Sequence, residues 1–288
     1  MQAIRHRSYA KINLGLSILG KRSDGYHNIA TIFQEIDLFD ELIFHKTGQP
    51  GIKIRSNDQT LPVDASNLVH KAIATLLEHA DEAFGVDIMI EKKIPTGGGL
   101  GGGSSNAAMA LRVVNEWLQK PLTINELLRI GAGIGSDVPF FLLGGTAFGE
   151  GRGEILTPLF WDLSAWICLI CPGIHVSTAW AYNEMKIALT NKEKFTKFKP
   201  LFQEVSPHAL GKLENEFEGM VFRRHPILLN YKELLLEGGA FYASMSGSGS
   251  SIFGIFLDRE PAQAAKSFFQ MEKGVSAYLC KPIMSSEN

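Results

Sequence analysis

Cysteine is scarce in this chain: Cys168, Cys171 and Cys280 are its three thiols, and an odd number cannot all pair within one molecule. Cys168 and Cys171 form a C-x-x-C inside the apolar run "WICLICPG". No second such pair or histidine cluster completes a zinc site, so they read as buried, reduced thiols in a strand. Long hydrophobic runs are missing as well. No stretch reaches the roughly 18 apolar residues that span a bilayer, and "MQAIRHRSYAKINLG" lacks the apolar core of a signal peptide. A cytoplasmic protein without a membrane partner is the expectation. Nor does charge of one sign dominate: 28 Lys and Arg against 30 Asp and Glu give a formal net charge of -2. Without a polybasic block or an aromatic and basic stripe, nucleic acid is not an expected partner.

What is present suits a large globular core, with 45% hydrophobic and 20% charged residues over 288 positions. Alternation and β-branched content predict successive strands at "INLGLSILG", "IATIFQEIDL", "ELIFHKT" and "GIKIRS", with "KRSDGYHN" as the first turn. "SNLVHKAIATLLEHA" follows as a helix, with Leu68, Ala72, Leu76 and Leu77 on one face and Ser66 as N-cap. "VDIMIEKKI" returns to strand. A glycine loop then leads into "SSNAAMALRVVNEWLQ", whose apolar face is Ala107, Ala110, Leu111, Val114 and Leu118. Thr123 and Glu126 fit a capping box opening "TINELLRIGAGIG".

A boundary is expected near Pro158 to Asp162. Beyond it come a strand "AWICLICP", helices, "YASMSGSGSSIFGIF", a helix near "PAQAAKSFFQM" and a final strand "VSAYLCKPI". This order describes two α+β halves, residues 1–160 and 161–288, rather than a doubly wound parallel sheet. "ALTNKEKFTKFKP" reads as a solvated, partly helical connection, and the tail "MSSEN" as disordered.

The stretch "IPTGGGLGGGSSNAA" places six glycines in seven positions, Gly97 to Gly103, between a strand and an apolar-faced helix. Glycine reaches positive φ freely and lets backbone N–H groups approach a ligand, at a cost in conformational entropy. That cost is intelligible if the amides converge on a phosphate where a helix beginning near Ser104 adds unsatisfied donors and the positive end of its dipole. A Walker loop is excluded because no lysine precedes Ser104. Gly97, Gly99 and Gly102 satisfy G-x-G-x-x-G, but Glu116 lies in the loop's own helix and not at the end of a following strand, so a dinucleotide fold is disfavoured.

Three separated segments resemble one family. "PTGGGLGGGSSNAA" is similar to the P-x-G-x-G-L-G signature of the GHMP kinase superfamily, "AKINLGLSILGKRSDGYHNIATIFQ" to its N-terminal motif and "MSGSGSSIFGIF" to its C-terminal glycine motif. The strings "KINLGLSILGKRSDGYHNI" and "GSDVPFFLLGGTAFGEGRGE" resemble the branch whose acceptor is a cytidine-diphosphate-linked polyol of the non-mevalonate isoprenoid route. The resemblance implies an α+β, two-domain fold, ribosomal protein S5 domain 2-like at the N-terminus and ferredoxin-like at the C-terminus. It also implies ATP, brought as its Mg²⁺ complex, as phosphoryl donor.

Carried onto this chain, the family's catalytic pair falls on Lys11 and Asp137. Read singly, Lys11 is a solvated strand residue and Asp137 an N-cap for "VPFFLL". The ATP-binding positions are Pro95, Gly97, Gly98, Gly99, Leu100, Gly101, Gly102, Gly103, Ser104 and Ser105, with Asn67 and Lys93 beside them. Helix capping and surface charge stay open for the last two. Tyr26 and His27 suit stacking on, and hydrogen bonding to, a cytosine. Phe33, Asn13, Thr178, Gly247 and Gly249 complete the substrate side. Strand-interior roles remain open for Phe33 and Asn13. No residue is assigned to the metal. The alternatives are another GHMP small-molecule kinase, acting on mevalonate or homoserine, and a non-catalytic nucleotide-binding protein; the protein is expected as a monomer or homodimer.

Overall fold

The computed structural model describes residues 3–159, 164–185, 198 and 207–284. Most of "ALTNKEKFTKFKP" and of "MSSEN" lies outside the described residues. The chain clusters into two compact units, the first comprising Met1–Ala10, Leu38–Thr96 and Gly101–Leu143, the second Lys11–Asp37, Gly97–Leu100 and Gly144–Asn288. Strands β1 (Ile4–Lys21) and β2 (His27–Thr47) contribute residues to both. The two strands expected at "IATIFQEIDL" and "ELIFHKT" are thus one. No glycine or proline interrupts them, and of the two residues between, Phe39 and Asp40, the second is buried and not at a turn.

In the first unit, β4 (Gly85–Glu91) pairs parallel with β3 (Gly51–Ser56) and antiparallel with Glu41–Thr47 of β2. Helix α1 (Leu68–Ala80) buries Val69, Ala72, Ile73, Leu76 and Leu77, a single apolar stripe at helical spacing. Its N-cap is Asn67, whose side chain accepts from Val69 N, and not the neighbouring Ser66. Helix α2 (Gly102–Glu116) starts two residues ahead of Ser104 and packs on α1 with alanines that permit close approach. Helix α3 (Ile124–Ile134) opens on the expected capping box, Thr123 with Glu126, and α4 (Val138–Leu143) follows.

In the second unit, β5 (Thr146–Glu150) pairs antiparallel with β2 and with β6 (Ile155–Pro158). A separate sheet has the order β10-β7-β9-β8, all antiparallel, from β7 (Trp166–Cys171), β8 (Tyr242–Met245), β9 (Ile252–Phe256) and β10 (Ser276–Cys280). Between β7 and β8 lie α5 (Thr178–Glu184), α6 (Pro207–Leu210), α7 (Glu218–Arg224) and α8 (Pro226–Glu237); α9 (Arg259–Gln270) joins β9 to β10. Packing α8 and α9 on this sheet yields the split βαβ of a ferredoxin-like fold. Its core buries Cys168, Ile170, Phe217, Leu228, Leu235, Ile252, Phe256 and Phe269.

Candidate active site

In the first unit the site is built around the start of α2. Gly101 is its N-cap at φ 70, and no side chain caps the helix, so its first amides fit an anion. Gly102 is tightly packed: a methyl group there would stand 3.0 Å from Ile94 Cγ2 and 3.2 Å from Lys92 Nζ, so these side chains would have to give by a few tenths of an ångström. Ser105 turns inward, its Oγ 2.7 Å from the buried Ser8 Oγ. Ser104 is half-buried, and a methyl group on Gly135 would lie 3.7 Å from its Oγ. The Ser104 hydroxyl therefore stands beside the turn that carries Asp137 into α4.

A fully buried carboxylate anchors the strand end that enters the glycine run. Asp40 Oδ1 accepts from Lys93 N at 2.7 Å and Ile94 N at 2.8 Å, and Oδ2 pairs with Lys92 Nζ. Lys93 itself is exposed, its Nζ 4.9 Å from the centre of the Phe39 ring. The Asn67 amide bonds to Val69 N at 2.8 Å and Pro62 O at 2.5 Å, as the capping reading requires.

The second unit gathers the other predicted residues. Lys11 is only 4% exposed, so the solvated-strand reading is replaced. Its Nζ donates to Asn13 Oδ1 at 2.6 Å and stands 5.3 Å from the centre of the buried Phe33 ring. Asn13 Nδ2 donates to Thr31 Oγ1 at 2.8 Å. A methyl group on Gly247 (φ 57) would come 3.3 Å from Asn13 Oδ1, which brings the C-terminal glycine motif to the same place. Thr178 joins it through a 2.9 Å contact with Ser248.

Within that unit, Gly97–Leu100 lies directly on the loop after β8. Ser246 Oγ donates to Gly99 O at 2.9 Å and accepts from Asn13 N at 3.2 Å, while Ser251 N donates to Gly98 O at 3.2 Å. A methyl group would fall 2.1 Å from Ser246 O at Gly99 and 2.5 Å from Ser251 Oγ at Gly98. Gly99, at φ 77 against a backbone oxygen, is therefore required by contact with a second loop whatever ligand the run also serves, while at Gly98 the Ser251 hydroxyl would have to turn aside. Leu100 O accepts from Lys11 N at 3.0 Å, and Pro95 is half-buried just before the run. Asn215 Nδ2 donates to both Met245 O and Gly247 O at 2.7 Å, fixing the C-terminal motif from beneath.

The "DGYHN" turn also belongs to the second unit. Tyr26 is 54% exposed, with the Arg152 guanidinium 4.9 Å from its ring centre. His27 stacks on Tyr182 at 4.9 Å and 11°, and Tyr182 meets Phe217 edge-on. Desolvation, with Lys21 adding repulsion, holds the imidazole below the usual histidine range.

Asp40, Lys92, Thr31, Asn215 and Ser246 were not singled out from sequence. Each pairs with a residue outside its own local pattern; Asp40, Thr31, Asn215 and Ser246 are buried and Lys92 pairs with Asp40, which residue type and spacing do not reveal. The three thiols are free and buried, Cys168 and Cys171 in β7 as expected. Burial pushes Cys168 up to about 12 and Cys171 to about 11. Among the described residues no cluster of His, Cys, Asp and Glu is composed to hold a metal, and no helix is long and apolar enough to cross a membrane.

The GHMP kinases N terminal domain matches residues 67–145 and the GHMP kinases C terminal domain residues 198–273. The chain belongs to the GHMP kinases and is an ATP-dependent kinase. A 4-diphosphocytidyl-2-C-methyl-D-erythritol kinase of Chlorobium phaeobacteroides is 44% identical to it, across 94% of this chain and 95% of that one. A crystal structure of 4-(cytidine 5'-diphospho)-2C-methyl-D-erythritol kinase superposes with a TM-score of 0.79 at 30% identity, covering 96% and 99% of the two chains. Homoserine kinase from Cytophaga hutchinsonii shares the fold, with a TM-score of 0.76 at 21% identity, 98% of each chain being covered.

Proposed function

We propose that this kinase transfers the γ-phosphoryl group of ATP to the 2-hydroxyl of 4-diphosphocytidyl-2-C-methyl-D-erythritol, in the non-mevalonate route to isoprenoid precursors. The observation that carries the chemistry is the buried Lys11 ammonium, tied to Asn13 beside the C-terminal glycine motif. Full-length likeness to kinases of that name, and an exposed Tyr26 next to His27, support the acceptor.

Phosphoryl transfer asks mainly for positioning and charge stabilisation. In this reading Asp137 accepts the hydroxyl proton as the oxygen bonds to the γ-phosphorus and the bond to ADP breaks; Lys11 stabilises the ionised carboxylate and the developing charge. The uncapped first turn of α2, with Gly101, Gly102, Gly103 and Ser104, holds the polyphosphate. Mg²⁺ arrives with the nucleotide and offsets its charge. Tyr26 and His27 read the cytosine, and Gly247, Gly249 and Thr178 line the approach of the acceptor's phosphates. The division near residue 160 is part of the proposal, supported by family matches ending at 145 and beginning at 198.

Coupled ADP-release kinetics with the cytidylated polyol, its uncytidylated analogue, mevalonate and homoserine test the reading. Turnover should require the cytidine diphosphate. Equal or greater turnover of mevalonate or homoserine would remove the assignment.

A further inference from the structure

We propose that Thr31 is the positioning residue that orients Lys11 for phosphoryl transfer, acting through the Asn13 carboxamide. The inference rests on the role given to Lys11 above and adds a residue to which the family resemblance gave no role.

An asparagine amide has two ends of nearly the same shape but opposite hydrogen-bonding sense. Only its oxygen can receive the Lys11 ammonium; a rotated amide would set N–H donors against a cation. Thr31 removes that ambiguity. Its hydroxyl carries one proton, and that proton goes to Gly15 O at 2.6 Å. A backbone carbonyl only accepts, so Thr31 Oγ1 faces Asn13 Nδ2, 2.8 Å away, as acceptor alone. The amide nitrogen must therefore point at Thr31, which turns Oδ1 toward Lys11 Nζ at 2.6 Å. Polarity runs one way, from Lys11 through Asn13 and Thr31 to Gly15.

Burial makes this chain consequential. Thr31, Asn13 and Lys11 are 0%, 2% and 4% exposed, so water does not stand in for a lost partner. Thr31 is sealed between strands, its residue paired with Gly149 of β5, and touches no substrate. Its influence on chemistry passes through Asn13.

Steady-state kinetics with ATP and the cytidylated polyol, together with melting temperatures, test the assignment. Thr31→Val keeps the shape and deletes the hydroxyl; Thr31→Ala deletes it with room to spare and stands in if the valine variant does not fold. Either should lower kcat about tenfold while KM for ATP stays within about twofold, as for a hydrogen bond to a charged group lost at the reacting centre. Thr31→Ser should restore most of that loss. On an Asn13→Ala background, Thr31→Val should add nothing further, because its route to Lys11 is already cut.

A Thr31 that merely ties β1 to β2 would lower the melting temperature with kcat unmoved, or act additively with Asn13→Ala. Either result overturns the proposal. Lys11→Ala separates the two levels: if it is inactive while Thr31→Val and Thr31→Ala are folded and fully active, this inference alone fails. If Lys11→Ala retains full turnover, the catalytic reading fails and takes this one with it.

Discussion

Gly99→Ala isolates what the glycine run does when no nucleotide is bound. Gly99 sits at φ 77, where an added Cβ costs about 1–2 kcal/mol of backbone strain. That Cβ would also lie 2.1 Å from the Ser246 carbonyl oxygen, and carbon and oxygen tolerate no approach much under about 3.3 Å. The two loops must separate by about 1 Å, which breaks the Ser246 Oγ to Gly99 O and Ser251 N to Gly98 O bonds, each worth about 1 kcal/mol net. The loss comes to about 3–4 kcal/mol, or a melting temperature lower by about 6 °C or more for a chain of this size. Differential scanning calorimetry of the nucleotide-free protein reads it. Gly103→Ala is the comparison, because a methyl group there meets only Leu68 Cδ1 at 3.7 Å; its melting temperature should not fall. A nucleotide-free Gly99→Ala protein that melts with the parent would refute the packing argument and leave phosphate contact as the sole reason for that glycine.

Asp40→Ala should destabilise the protein by about 3–5 kcal/mol in thermal or urea unfolding, since it strands the Lys92 ammonium and the amides of Lys93 and Ile94; a loss under about 1 kcal/mol would contradict the anchor. Asp137→Asn should cut kcat by about 10²-fold or more with ATP affinity, measured by calorimetric titration, largely kept; undiminished turnover would dismiss the base. The His27 ring should titrate by NMR below the ordinary 6.5. Between its folded value and 6.5 the unfolded chain holds the extra proton, so this residue's contribution to stability is complete above that window and is lost as pH falls through it. A midpoint above 6.5 would reverse the argument. A disulfide reagent at mildly alkaline pH should leave Cys168 and Cys171 untouched in the native protein and label them on unfolding, because burial holds these thiols at about 12 and 11; rapid native labelling would show they are not buried.

Local signals were legible before any coordinates. The capping box at Thr123, the apolar stripe of α1 and the glycine and serine strings all act over a few residues, so letters and spacing suffice to read them. Near misses share that origin. Ser66 and Asn67 are both good caps, and which one the helix uses depends on where the chain turns. β2 looked like two strands because Asp40 resembles a turn residue until its partners at Lys92, Lys93 and Ile94 are seen.

What the order of residues decided was the class of fold and the family, because those live in repeated local patterns and long matching strings. What folding alone decided was the environment of single polar groups. Lys11 is an ordinary strand lysine as a letter, and becomes a buried, oriented ammonium only when β2 supplies Thr31 behind Asn13. Gly99 is permissive as a letter, and becomes obligatory only when the Ser246 carbonyl arrives from the far end of the chain. A hydroxyl or a carboxylate carries no mark of its future burial. Its energy is set by partners more than a hundred residues away for Ser246 on Gly99, and the polypeptide brings them together only by closing its core.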